Sequence, residues 1–127
     1  MSNPTDLKFL VVDDFSTMRR IVRGLLKEMG CNNCEEAEDG QVALGRAQGQ
    51  RFNAVVTDVN MPNMDGITFV KELKKRPDYR FVPVLMLTTE SRESRKREGQ
   101  LAGAKAWVVK PFRPEQILSA VSRLVLA

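Results

Sequence analysis

The chain has 127 residues, 43% of them hydrophobic and 28% charged, with two cysteines and no histidine; a single domain of this size buries roughly two thirds of its unfolded surface and needs no disulfide staples. The missing histidine excludes Ser-His-Asp and Cys-His catalysis and any zinc site built on imidazole, so chemistry here must use carboxylates, hydroxyls, lysine or thiol. Twenty Lys and Arg against 16 Asp and Glu leave a formal +4, a modest excess and no nucleic-acid footprint, so binding to DNA is not expected.

Phe9-Leu10-Val11-Val12 is a compact apolar run closed by two acids, the pattern of a buried parallel strand. Met18, Ile21, Val22, Leu25, Leu26 and Met29 then recur at helical spacing and stop at Gly30, which suits a helix C-terminus. A short strand is expected at residues 34–37 and a helix at about residues 41–48, carrying Val42, Leu44 and Ala47. Ala54-Val55-Val56-Thr57 reads as the third strand and ends at Asp58, and Ile67, Val70 and Leu73 mark a third helix that stops before Pro77. The basic residues Lys71, Lys74, Lys75, Arg76 and Arg80 crowd its end beside Glu72 and Asp78; cations there offset the helix macrodipole, with a binding patch as the alternative.

Residues 83–87 form the fourth strand, residues 91–102 a charged fourth helix, and Ala106-Trp107-Val108-Val109 the fifth strand. Pro114 opens the last helix, with Ile117, Leu118, Val121, Leu124 and Val125 as its stripe. Strand and helix alternate through the chain, which argues for an α/β fold with a parallel sheet covered on both faces. No linker, repeat or low-complexity tract interrupts it, so residues 1–127 are expected to form a single domain without an effector domain. No run of ~18 apolar residues is present, and the segment from Met1 to Asp6 lacks the basic and apolar regions of a signal peptide. A soluble, cytoplasmic protein with no membrane insertion is the expectation.

In open parallel sheets the functional groups gather beyond the carboxyl ends of the strands. Here those ends carry Asp13-Asp14, Asp58, Thr88-Thr89 and Lys110-Pro111. If the third strand neighbours the first, as in the doubly wound order 2-1-3-4-5, their carboxylates converge, because adjacent strands lie only ~4.8 Å apart. Clustered acids raise one another's pKa unless a cation neutralises them. An open, all-oxygen site favours a hard ion, and Mg²⁺ over Ca²⁺ beside phosphate chemistry. A lysine and a hydroxyl at the same edge suit phosphoryl oxygens, and aspartate can itself accept a phosphoryl group when a metal and a lysine stabilise the transferring charge. Singly, each residue has a plainer reading as a strand end, cap, turn or surface cation; together they favour phosphoryl transfer onto a carboxylate.

Residues 9–23, the segment Asn60-Met-Pro-Asn-Met-Asp-Gly66 and Val109-Lys-Pro-Phe112 resemble the signatures of the receiver domains of two-component response regulators, most closely the stand-alone chemotaxis members. The resemblance implies the flavodoxin-like, doubly wound five-stranded sheet in the order 2-1-3-4-5 by which that family is known, with five helices in two layers. It implies Asp58 as phosphoacceptor, and Mg²⁺ held by Asp13, Asp14, Asp58 and the main-chain carbonyl of Asn60. Thr88 would bind a phosphoryl oxygen and move on activation, Lys110 would contact the acyl phosphate, and Pro111 would follow a cis bond. A sensor histidine kinase would donate the phosphoryl group from its phosphohistidine, and the domain would catalyse its own phosphorylation and slow hydrolysis without being a conventional enzyme. The output would be a face of helix four, strand five and helix five, including Glu90, Arg92, Arg95, Trp107 and Lys110, read by a flagellar motor switch protein. A phosphatase is a further candidate partner, and a monomer is expected.

Three features depart from that pattern. Trp107 stands where chemotaxis members usually carry tyrosine; indole is larger and lacks the hydroxyl, so turning it inward needs space behind Thr88. The expectation is that Trp107 reports activation as a switch residue, with a fixed, partly exposed aromatic as the alternative. The fourth helix has few apolar residues, and Gly99 weakens it by roughly 1 kcal/mol relative to alanine; pairing of Glu93 with Arg97 adds only about 0.3 to 0.5 kcal/mol. It is therefore expected to be the least stable element. Cys31 and Cys34 have CxxC spacing, yet zinc would lack two ligands and a redox pair would want a helix N-terminus, so packing cysteines are favoured.

Other functions fit less well. An aspartyl-phosphate phosphatase would want an Asp-x-Asp motif after the first strand, and a flavin-binding domain a neutral hydroxyl-rich loop where two carboxylates stand. A receiver with a non-flagellar partner, such as a kinase, scaffold or stalk protein, remains the alternative reading.

Overall fold

The computed structural model describes residues 6–125. Its strands are β1 (Lys8–Val12), β2 (Asn33–Ala37), β3 (Ala54–Thr57), β4 (Val84–Thr88) and β5 (Ala106–Val109). Its helices are α1 (Ser16–Glu28), α2 (Gly40–Ala47), α3 (Gly66–Lys74), α4 (Glu93–Ala102) and α5 (Pro114–Val125), with a 3-10 turn at Pro77–Tyr79. All strand pairs are parallel and the sheet order is β2-β1-β3-β4-β5. Element positions agree with the sequence reading to within a residue or two. β4 begins after Pro83 rather than on it, since proline has no N–H to give to the ladder.

β1, β3 and β4 are almost wholly apolar and buried because both faces of the sheet are covered there, while the edge strand β2 reads Asn33-Cys34-Glu35-Glu36-Ala37. Successive residues point to opposite sides, so Leu10 and Val12 enter one core with Val55, Val84 and Met86, while Phe9 and Val11 enter the other with Ala54, Val56, Leu85 and Leu87. The first core is closed by Ala43 and Ala47 of α2 and by Ile67, Phe69, Val70 and Leu73 of α3, with Ala102 of α4 at its margin. The second is closed by Val22, Leu25 and Leu26 of α1 and by Ile117 and Val121 of α5. Cys31 and Cys34 belong to this second core as free, buried thiols. Burial raises both, Cys34 to about 11, so neither carries the thiolate a redox pair needs.

Helix ends are fixed by local chemistry. Gly30 follows the last turn of α1 with φ 87°, and its N–H returns to the Lys27 carbonyl at 2.9 Å. Asp39 caps α2 by accepting the Val42 N–H at 2.9 Å, and its second oxygen accepts from Asn63 Nδ2 at 2.8 Å. These bonds hold the Asp39 carboxyl below the usual aspartate range, the Val42 bond contributing most. A carboxyl lowered on folding stabilises the fold above its unfolded pKa, and that stabilisation is lost as pH falls through the folded value. Asp39→Ala should therefore cost about 1 kcal/mol in urea melts at neutral pH, and the difference from the parent should shrink below about pH 4.

α4 forms as expected, but with different ion pairs. Glu93 faces Lys96 at 3.7 Å, not Arg97, and Arg95 meets Glu98 at 2.6 Å. Both pairs have i,i+3 spacing, which places the charges on one face as readily as i,i+4. Gly99 is the only buried residue of this helix.

Candidate functional site

The parallel register brings the strand ends to one edge. Val12 lies opposite Ala37 on one side and Thr57 on the other. The next residue, Asp13, donates its N–H to the Ala37 carbonyl at 3.1 Å, and the Asp58 N–H reaches the Val12 carbonyl at 2.9 Å. On the far side the Lys110 N–H reaches the Thr88 carbonyl at 2.8 Å. Main-chain bonds thus carry the sheet one residue beyond its strands and set the bases of Asp13, Asp58 and Lys110.

The side chains converge above them. Carboxylate oxygens of Asp13, Asp14 and Asp58 all lie within 4.8 Å of one another, Asp13 and Asp58 buried and Asp14 exposed. Lys110 Nζ sits 2.7 Å from Asp13 Oδ2 and 3.3 Å from Asp58 Oδ2. The Asp58 carboxylate is oriented by the Val59 N–H on Oδ1 at 2.6 Å, and Asp13 Oδ1 by the Phe15 N–H at 2.9 Å. Arg19 Nη1 anchors the Asp13 carbonyl at 2.6 Å. Burial pushes the Asp13 carboxyl up from its ordinary value, against the hydrogen bonds from Lys110 and Phe15.

Gly66 completes the support. A β-carbon there would lie 1.9 Å from the Asp58 carbonyl oxygen, while the Gly66 N–H donates to the Val59 carbonyl at 2.8 Å. Only a residue without a side chain lets the start of α3 press against the chain that carries Asp58. Asp65 caps the same helix end through the Thr68 N–H at 2.7 Å.

Three carboxylates against one ammonium leave two negative charges uncompensated. The donor set is all oxygen and one member faces solvent, so these residues fit a divalent hard cation that keeps part of its water. Asn60, two positions after Asp58, is exposed at the same rim.

Thr88 is fully buried, and its Oγ1 accepts the Glu90 N–H at 3.1 Å. Trp107 is half-buried, and its Nε1 donates to the Glu90 carbonyl at 2.9 Å. Of the residues expected on a partner face, Arg92 is exposed while Arg95, Trp107 and Lys110 are half-buried. Glu90 is buried. Its carboxylate accepts from Arg92 Nε at 2.9 Å, Nη2 at 2.8 Å and the Arg92 N–H at 3.1 Å. The Arg92 bonds, helped by Asn60, hold the Glu90 carboxyl down at about 2. Glu90 therefore faces its own loop more than a partner. Sequence reasoning missed Gly66 and Asn63 as supporting residues, although both lie in the segment from Asn60 to Gly66 that was in view, and missed Asp39 altogether.

The model of the response regulator receiver domain matches residues 9–122. The chain belongs to the response regulator receiver domain family. This receiver domain is 46% identical over 107 residues to chemotaxis protein CheY-3 of Vibrio cholerae, covering 84% of this chain and 82% of the relative. It is 39% identical over 118 residues to chemotaxis protein CheY of Pseudomonas aeruginosa, covering 93% and 95%. Among solved structures, chemotaxis protein CheY4 of Vibrio cholerae superposes with a TM-score of 0.87 at 44% identity, covering 93% of this chain and 98% of that one. The receiver is thus CheY-like, a signalling domain of the two-component class. Receiver domains bind Mg²⁺ at an acidic pocket, and in this chain Asp13, Asp14 and Asp58 form an acidic cluster at the carboxyl edge of the sheet.

Proposed function

We propose that this receiver takes a phosphoryl group on Asp58 from the phosphohistidine of a sensor kinase in the cytoplasm, and that the modified domain signals to a flagellar motor switch protein. The observation that carries this reading is the Asp58 carboxylate, held by the Val59 N–H with one oxygen 3.3 Å from Lys110 Nζ inside an acidic cluster. A carboxylate oxygen of Asp58 attacks phosphorus as the bond to the donor imidazole nitrogen breaks, and the bonding pair returns to the imidazole. Lys110 moves from balancing two carboxylates to holding a phosphoryl oxygen, so charge developing in the transfer meets a cation already in place. Asp13, Asp14, Asp58 and the Asn60 carbonyl would hold Mg²⁺, which when bound neutralises the charge on the phosphoryl oxygens. Attack of water on the same phosphorus reverses the modification, unaided or with a phosphatase.

The output follows from Thr88. Its hydroxyl accepts the Glu90 N–H at 3.1 Å; turning toward a phosphoryl oxygen breaks that bond and frees the loop. The Glu90 carbonyl is the acceptor for Trp107 Nε1, so the loop's shift reaches the indole and biases the face of α4, β5 and α5 between two packings. Trp107 emission is expected to change on adding Mg²⁺ with a phosphoryl mimic, and an unchanged spectrum on a protein shown to bind the mimic contradicts the switch. For the partner, phosphorylated protein should retain the motor switch protein in a pull-down that unmodified protein does not. Equal recovery in both states contradicts a phosphorylation-gated output.

A further inference from the structure

Gly99 lies in the interior of α4, where glycine costs helix stability, and its backbone is not in the left-handed region that would call for glycine. The reason for it is the neighbouring ring. A β-carbon at residue 99 would fall 2.7 Å from Cζ3 and 3.2 Å from Cε3 of Trp107, with Met86 Cε at 3.8 Å. Two carbons do not approach to 2.7 Å, so the indole fills the space that any side chain at residue 99 would need. Gly24 and Gly45, inside α1 and α2, have nothing within 4 Å of such a β-carbon. Among the glycines beyond the first residue of a helix, the notch is therefore particular to Gly99.

The indole is held along its whole length. Its pyrrole N–H is tied to the Glu90 carbonyl at 2.9 Å, and its benzo edge lies on the α4 backbone. α4 has few other attachments to the domain. Its exposed Leu101 points away, Ala102 is half-buried, and Arg95 reaches Asp65 at 3.8 Å. With Gly99 the only buried residue of the helix, the contact of ring and backbone and the packing of Ala102 against the first core are its apolar joins to the domain.

We infer that Gly99 is a seat for the Trp107 ring, a positioning residue that makes the placement of α4 depend directly on whether the indole occupies its notch. The steric part of the inference stands on the unmodified protein. The signalling part rests on the proposed function, since departure of the ring is what would release α4 as an output element.

Trp107 is the sole tryptophan, so intrinsic emission of the full chain reads this ring alone. Gly99→Ala should shift the emission to the red and strengthen acrylamide quenching, while Gly24→Ala should leave both at parental values. Stability supplies a second, independent reading. In a Trp107→Leu background Gly99→Ala should raise the folding equilibrium constant roughly five-fold, the ordinary helical gain of alanine over glycine, and in the parental background it should give no gain or a loss. If Gly99→Ala folds poorly alone, its recovery by Trp107→Leu carries the same result. Parental emission and quenching in Gly99→Ala, or an equal gain in both backgrounds, overturns the seat. Intact mass after treatment with Mg²⁺ and acetyl phosphate separates the two readings: a parent that gains no phosphoryl group defeats the functional proposal, and the comparisons on unmodified protein still decide the seat.

Discussion

Asp58→Asn should abolish phosphoryl acceptance while leaving the fold as stable as the parent or slightly more so. An amide nitrogen or oxygen is a poor nucleophile, so the variant loses the carboxylate that carries the Val59 N–H on one oxygen and has Lys110 3.3 Å from the other. Asp13 is engaged by Lys110 at 2.7 Å and by the Phe15 N–H at 2.9 Å. Asp14 is exposed and meets no described hydrogen-bond donor that would orient it. The stability half of the expectation follows from charge. The Asp58 carboxylate is among the causes that raise the Asp13 carboxyl, so removing it relieves a like-charge contact, and Lys110 keeps Asp13 as its partner. Intact mass after treatment with Mg²⁺ and acetyl phosphate should show one added phosphoryl group on the parent and none on the variant. A variant that is modified to the same extent removes Asp58 from the role of acceptor.

The edge that carries this chemistry was legible because β1, β3 and β5 are largely apolar runs that each give way to a charged residue. Val12 then Asp13, Thr57 then Asp58, and Val109 then Lys110 announce both the strand and its end, and in a parallel sheet all such ends point the same way. Register then does the remaining work, placing Val12 opposite Thr57 so that the next residues of both strands meet.

What was not legible depends on distances between elements that no local pattern encodes. Gly66 reads as a turn residue until α3 is seen to rest on the Asp58 carbonyl. Gly99 reads as a weakness in a polar helix until the ring of Trp107 is found against it. Glu90 reads as a surface acid because its neighbours Ser91 and Arg92 are polar and exposed; its burial follows from the loop folding back so that its amide and carbonyl serve Thr88 and Trp107. Asp39 and Asn63 join two loops 24 positions apart, a pairing that follows from α2 and α3 lying side by side.

Lys110→Met should produce the largest loss of stability among substitutions at the site, and Mg²⁺ should restore much of it. Methionine keeps an unbranched stem of similar length and removes only the ammonium. The side chains of Asp13 and Asp58 are 4% and 9% exposed, so the variant leaves two nearly buried carboxylates facing each other without their cation. Breaking a buried pair from one side costs about 3 to 5 kcal/mol because the remaining charge is uncompensated, and a value near ~3 kcal/mol is expected here, since Asp14 and the open rim admit water. A divalent cation answers the same deficit. Ligand that binds only the folded state adds about 2.7 kcal/mol at one hundred times its dissociation constant, and the variant, lacking Lys110 as a competing cation, should bind Mg²⁺ more tightly than the parent. Urea melts of both proteins with and without Mg²⁺ therefore separate charge from packing. A deficit that closes with the metal assigns Lys110 to charge compensation at the acidic cluster, whereas a deficit of equal size in both conditions makes the packing of the substituted side chain the cause.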